Sequence, residues 1–170
     1  MNSSVCIDIY QENDNVDFEK LSSYFDKIDS KSIKTQIKQL TNYQLIQSLC
    51  YVSRENHITI NYPYFKYISK HNIYSGDDII QHLITVMQSV LREYDQFIIH
   101  LNTNNLNLVD VDKYFLFIQK VSQIMKDQFP EKMKTCYIYK APFVFSRLFS
   151  IVSIFIDKNT QQKIKIIGAR

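Results

Sequence analysis

Residues 141–156 read A-P-F-V-F-S-R-L-F-S-I-V-S-I-F-I. In any helix built from them, Phe143, Phe145, Leu148, Phe149, Ile151, Val152, Ile154, Phe155 and Ile156 point to every side. A helix on the surface of a soluble domain needs a polar face, and only Ser146, Arg147, Ser150 and Ser153 interrupt this one. The segment is too short to cross a bilayer, which takes about 20 apolar residues. Two readings remain. Either it is buried all round in its own domain, or it lies over apolar material that is not this protein. As a mobile lid, four Phe in water would be costly, since each is worth roughly 1.5–3 kcal/mol when buried.

The rest of the chain is ordinary enough to exclude several classes. With 170 residues, 45% hydrophobic and 22% charged, it can build one well-cored domain and is not broadly disordered. Cys6, Cys50 and Cys136 lie far apart, which argues against a disulfide scaffold and a zinc ribbon. The N-terminus has no apolar stretch behind a basic start, so a cytoplasmic, reducing location is expected. His57, His71, His82 and His100 form no metal-ligand spacing, and no metal or cofactor is expected. There is no G-x-S-x-G, and 2 Gly leave little room for a phosphate-cradling loop. An enzyme is the weakest class. A net charge of +3 is too small to argue for nucleic acid. The charge is skewed, however: Lys126, Lys132, Lys134, Lys140, Arg147, Lys158, Lys163, Lys165 and Arg170 face only Asp127, Glu131 and Asp157 in the last third. That skew reads either as a solvated basic face or as one suited to an anionic membrane surface.

Along the chain, residues 5–10 alternate as a strand would. Asp17 is a cap candidate for a helix carrying Phe18, Leu21, Tyr24, Phe25 and Ile28, and Thr41 for one carrying Leu45, Ile46, Leu49 and Cys50. Ile33, Ile37 and Leu40 continue a helical pattern between them. Residues 57–61 and 64–68 read as short strands parted by Pro63. Ser75 and Asp78 form a capping box before a long helix with Ile79, Ile80, Leu83, Val86, Met87, Val90 and Leu91 inward. A strand over 97–101, a helix from Asp110 or Asp112, a strand over 135–139, a helix opened by Pro142 and a strand over 163–167 complete the pattern. The alternation predicts an α/β fold, a mainly parallel sheet covered by helices. Residues 1–55 are expected to add a strand and a mostly helical element, and 56–170 to form the core.

The C-terminal third carries a resemblance. F-P-E-K-M-K at 129–134, C-Y-I-Y-K-A-P-F at 136–143, then Phe155-Ile156-Asp157 and residues 160–167 look like the Sec14/CRAL-TRIO lipid-binding domain. That family reads Y-P-E-R, a strand ending in N-A-P-[WF], an apolar gate helix, then F-L-D-P-x-T-x-x-K-I and a strand. The spacing holds without a gap from 129 to 168, and strand, long helix and strand follow in family order from about 64. The resemblance implies non-enzymatic binding of phospholipid, phosphatidylinositol first, and its exchange between membranes by a protein that touches their surface transiently. It also implies that Glu131, Thr160 and Lys163 contact the inositol-phosphate headgroup. Phe143, Phe145, Leu148, Phe149, Val152 and Phe155 would then form the gate and meet acyl chains. The chemistry is sound in itself: inositol hydroxyls donate to a carboxylate, and a phosphate takes a hydroxyl donor and an ammonium.

The departures are informative. The strand that supplies small hydroxyls for choline in phosphatidylcholine carriers is Asp95-Gln96-Phe97-Ile98-Ile99 here, which weighs against phosphatidylcholine. The family's D-L-K-G becomes His100-Leu101-Asn102-Thr103, and Phe129 replaces a common Tyr. A diacyl lipid leaving a bilayer exposes about thirty methylenes at ~0.8 kcal/mol each, so only an apolar cavity can receive it. The alternative is a protein-interaction or membrane-adaptor module of the same fold whose cavity is filled or incomplete; a second copy of the chain could supply a missing wall.

Overall fold

The computed structural model describes residues 16–143 and 145–168, without the side chains of Arg147, Leu148, Ile151, Val152 and Phe155. The strand expected over 5–10 lies outside the described residues. Three caps start the first helices of the described residues, as their residue types require. Asp17 accepts from the Lys20 amide at the start of α1 (Phe18–Asp26). Asp29 and Ser32 close a capping box on α2 (Ser30–Gln36), which runs into a 3₁₀ turn at Ile37–Gln39. Thr41 and Gln44 do the same for α3 (Asn42–Leu49).

Next comes a hairpin whose second strand has the expected bounds, 57–61, and whose first strand was not expected. Strand β1 (Cys50–Arg54) turns through Glu55, whose φ is 42°, into the antiparallel β2 (His57–Asn61). Cys50 was expected as the last residue on a helix face; it is the first of a strand. The residues expected as a second strand, 64–68, lie instead in α4 (Tyr62–Lys70). Pro63 sits in the first turn of that helix, where its missing N–H is harmless. Tyr64, Phe65 and Ile68 are buried on one side at helical spacing, a short apolar run that also fits a strand when only periodicity is read. Ser75 then caps α5 (Gly76–Leu91) through Asp78 as expected.

Strand β3 (Phe97–Asn102) leads to α6 (Leu108–Lys113) and α7 (Phe115–Gln128). The cap here is Asn107, and Asp110 is its box partner rather than the first residue of the helix. After β4 (Met133–Tyr139), Pro142 stands in the turn before α8 (Phe145–Val152), accepting from the Phe145 amide at 2.9 Å. A 3₁₀ turn (Ser153–Phe155), α9 (Lys158–Gln162) and β5 (Ile164–Ile167) follow.

The strands lie in chain order, β1-β2-β3-β4-β5, with β2 to β5 mutually parallel. Parallel crossovers are right-handed almost without exception, so a sheet that grows in one direction receives all its crossover helices on one face. The burial pattern follows that rule. Ile58, Ile99, Cys136 and Ile138 share one apolar cluster with side chains of α4 and α5. The opposite face is covered by α1, whose Phe18 and Phe25 pack with Ile98, Tyr137, Tyr139 and Ile167. Phe25 meets Tyr139 edge-on at 4.9 Å, and Phe18 meets Tyr137 at 5.0 Å. That face also buries polar groups in pairs: His57 Nδ1 with His100 Nε2 at 2.8 Å, His100 Nδ1 with the Tyr139 hydroxyl at 2.8 Å, and Asn102 with Asn61 at 3.1 Å.

Because Phe25 is fully buried while Tyr24 beside it is half-exposed, Phe25→Ala is expected to cost roughly 3–5 kcal/mol of unfolding free energy and Tyr24→Ala far less. Equal losses in urea titrations would mean that α1 does not hold the back of the sheet.

Candidate functional site

On the helix-covered face a cavity of about 480 Å³ runs along the strands. Its walls come from the sheet and the helices on that face: Ile60, Ile99 and Ile138 from the sheet, Leu83 from α5, Phe117 and Val121 from α7. On the gate segment, Phe145 and Phe149 line it, with rings 6.1 Å apart and nearly parallel. Of the other gate residues, Phe143 is 87% exposed and takes no part in the wall. The side chains of Leu148, Val152 and Phe155 lie outside the described residues. Ile154, in the turn after α8, is 75% exposed.

Glu131, Thr160 and Lys163, expected together from the motif, do come together at one end of this cavity. Glu131 sits at φ 58° in the turn before β4, and Lys163 caps α9 just before β5. The Lys163 ammonium lies 3.1 Å from Glu131 Oε2, and Asn159 donates to Glu131 Oε1 at 2.8 Å. Glu131 is largely exposed, so the ion pair adds little to stability, about 0–1 kcal/mol. Thr160 is tied differently: its amide and hydroxyl both donate to Asp157, at 2.7 and 3.1 Å. With its proton committed, the Thr160 oxygen offers lone pairs to a ligand hydroxyl before it offers a donor to a phosphate.

Asp157 was missed as a site residue although it stands in the quoted F-I-D segment. It caps α9 and lines the cavity. The Thr160 amide bonded to it holds its carboxyl below the usual carboxylate range. A second polar group, also unforeseen, closes the opposite end of the cavity: Tyr62, Thr103 and Asp110, with Lys66 3.0 Å from Asp110 Oδ2. The only signal for it in the sequence is the N-x-x-D spacing of Asn107 and Asp110, which marks a helix cap as readily as a site.

Among the described residues no group of His, Cys, Asp and Glu could hold a metal ion, and no helix is long and apolar enough to cross a membrane. A family model described as CRAL/TRIO domain matches residues 48–170. The chain belongs to that family. It is similar to the Sec14 cytosolic factor of Schizosaccharomyces pombe, 29% identical over 69 residues that make up 41% of this chain and 24% of that protein. To the SEC14 cytosolic factor of Yarrowia lipolytica it is 26% identical over 100 residues, 59% of this chain and 18% of the relative. The match to each relative thus spans a quarter of its length or less. Among solved structures, the crystal structure of Sfh5 superposes with a TM-score of 0.61 at 14% identity, covering 75% of this chain and 50% of that one. That likeness bears out the α/β fold, mainly parallel and helix-covered, that the alternation of strands and helices predicts.

Cys136 borders the cavity and Cys50 lies under α5; burial pushes both thiols up to about 12. At pH 8 iodoacetamide is therefore expected to label both at least tenfold more slowly in the folded protein than in urea. Peptide mapping that found equal rates would mean the sheet face around Cys136 is open to water.

Proposed function

We propose that the chain binds a phospholipid in this cavity and carries it between membranes, without catalysis, and that phosphatidylinositol is the preferred ligand. The single observation that carries the proposal is an apolar cavity lined by Glu131, Thr160 and Lys163, with Lys163 paired to Glu131. A cavity of this volume favours a bound ligand over the alternative of a protein-interaction or membrane-adaptor module with a filled or incomplete cavity. In this reading the lipid phosphate takes the Lys163 ammonium from Glu131. The released carboxylate and the Thr160 oxygen then accept inositol hydroxyls. Each group keeps a partner throughout, so specificity is gained without stranding a charge. At 480 Å³ the cavity lies inside the ~300–1,000 Å³ range of single-ligand pockets. Two acyl chains need more, and the added room comes from outward movement of α8, which forms the wall through Phe145 and Phe149.

The cytosolic name of the fission-yeast relative and the basic skew of the last third suit a protein that visits anionic membranes from the cytoplasm. Phe143 and Ile154, exposed at either end of α8, are the contact points in this account.

Lys163→Ala is expected to lower phosphatidylinositol uptake from mixed vesicles by roughly tenfold, the worth of one charged hydrogen bond. Thr160→Ala should lower it by a few-fold, and both variants should keep the parent's circular dichroism. Transfer assays in which both match the parent would remove these residues from headgroup binding. Paired Phe143→Asp and Ile154→Asp changes should slow transfer between vesicles while leaving equilibrium occupancy intact; unchanged transfer rates would take α8 away from the membrane.

A further inference from the structure

We infer, resting on the reading of Glu131 and Lys163 as headgroup contacts, that Asn159 is a positioning residue: it keeps the Glu131 carboxylate aimed at the inositol ring once Lys163 has turned to the phosphate. The family motif F-L-D-P-x-T-x-x-K-I leaves the Asn159 position open, so the resemblance assigns it no role. Asn159 is second in α9 and Lys163 is that helix's C-cap. Four residues apart, they share one face of the turn. Each reaches a different oxygen of the same carboxylate: Asn159 Nδ2 donates to Oε1 at 2.8 Å and Lys163 Nζ to Oε2 at 3.1 Å. Asn159 itself is exposed and stands outside the described lining of the cavity, whereas Glu131 is part of that lining. Its route to a ligand therefore runs through Glu131.

Glu131 has need of such a partner. Its side chain is 73% exposed, and a glutamate free in water spreads over many rotamers that a ligand would have to freeze. Polar contacts hold it in place of burial. Besides the two bonds on its carboxylate, Gln96 Nε2 donates to its main-chain carbonyl at 3.0 Å, in the turn where Glu131 takes a φ of 58°. Of these donors, Lys163 is the one that the lipid phosphate also claims. When the phosphate draws the ammonium away, Oε2 is released to accept an inositol hydroxyl. Asn159 stays on Oε1, because a neutral amide gains much less from a phosphate than an ammonium does. The two donors thus divide the work, charge for the phosphate and amide for the carboxylate. The acceptor for the sugar is ordered before the lipid arrives, which cuts the entropy cost of recognising it.

The test measures uptake by the full chain from vesicles that hold phosphatidylinositol and phosphatidylmethanol, which share a phosphodiester but differ in that the second has no headgroup hydroxyl. The parent is expected to prefer phosphatidylinositol. Asn159→Ala should cut that preference about threefold or more, the worth of a hydrogen bond, with phosphatidylmethanol uptake unchanged. Asn159→Asp sets a like charge against Glu131 and should cut it further. The position is exposed, so both variants should keep the parent's circular dichroism. A merely structural role would lower uptake of both lipids alike. Glu131→Ala removes the group that Asn159 acts through, so adding Asn159→Ala to it should change nothing more. A preference unchanged in Asn159→Ala, an equal fall for both lipids, or a full further loss in the double variant overturns the inference. If Glu131→Ala loses the preference while Asn159→Ala keeps it, only this inference fails. If the parent takes neither lipid, or Glu131→Ala matches the parent, the headgroup reading fails with it.

Discussion

A parallel sheet that is extended strand by strand in one direction must put its crossover helices on a single face. Strands β2 to β5 obey this, and the two faces of the sheet diverge as a result. One face receives α4, α5 and the helices after β3 and β4, more cover than the strands can fill with side chains, and a cavity remains between them. The other face has only what precedes the sheet in the chain, and α1 closes it with Phe18 and Phe25. The lining of that cavity is mostly apolar, a surface that gains free energy when it is covered by something apolar. The apolar run at 141–156 belongs to the same logic. Part of it forms cavity wall through Phe145 and Phe149, and part stays outside through Phe143 and Ile154. That is why no single polar side could be found in it.

The polar mouth follows from the parallel arrangement as well. Residues just before β4 and just before β5 come out at the same edge, which brings Glu131 within 3.1 Å of Lys163 across 32 positions of chain. The turn at Glu131 has a positive φ that is uncommon outside glycine, asparagine and aspartate. Its side chain is placed by backbone geometry rather than by packing, and it stays exposed.

Much of this was legible in the residues. Caps at Asp17, Thr41 and Ser75 announced their helices because a side-chain oxygen before an apolar run has few other uses. The mouth was legible because its residues lie in a gapless motif. The failures share a cause. At 62–70 a short apolar stretch fits two periods, and only the Pro in its first turn decides between them. At Cys50–Arg54 the strand is too short, and mostly too exposed, to show a pattern of its own. The far end of the cavity was invisible for a different reason: Tyr62, Thr103 and Asp110 are joined by topology and by no spacing, and each has an ordinary local role.

The central claim is that the space under α8 is occupied by a lipid when the protein is at work. Native mass spectrometry of the purified chain after incubation with vesicles of phosphatidylcholine and phosphatidylinositol tests it most directly. One lipid per chain is expected, enriched in phosphatidylinositol over the vesicle composition. A chain that stays at its bare mass under conditions that preserve the fold would contradict it.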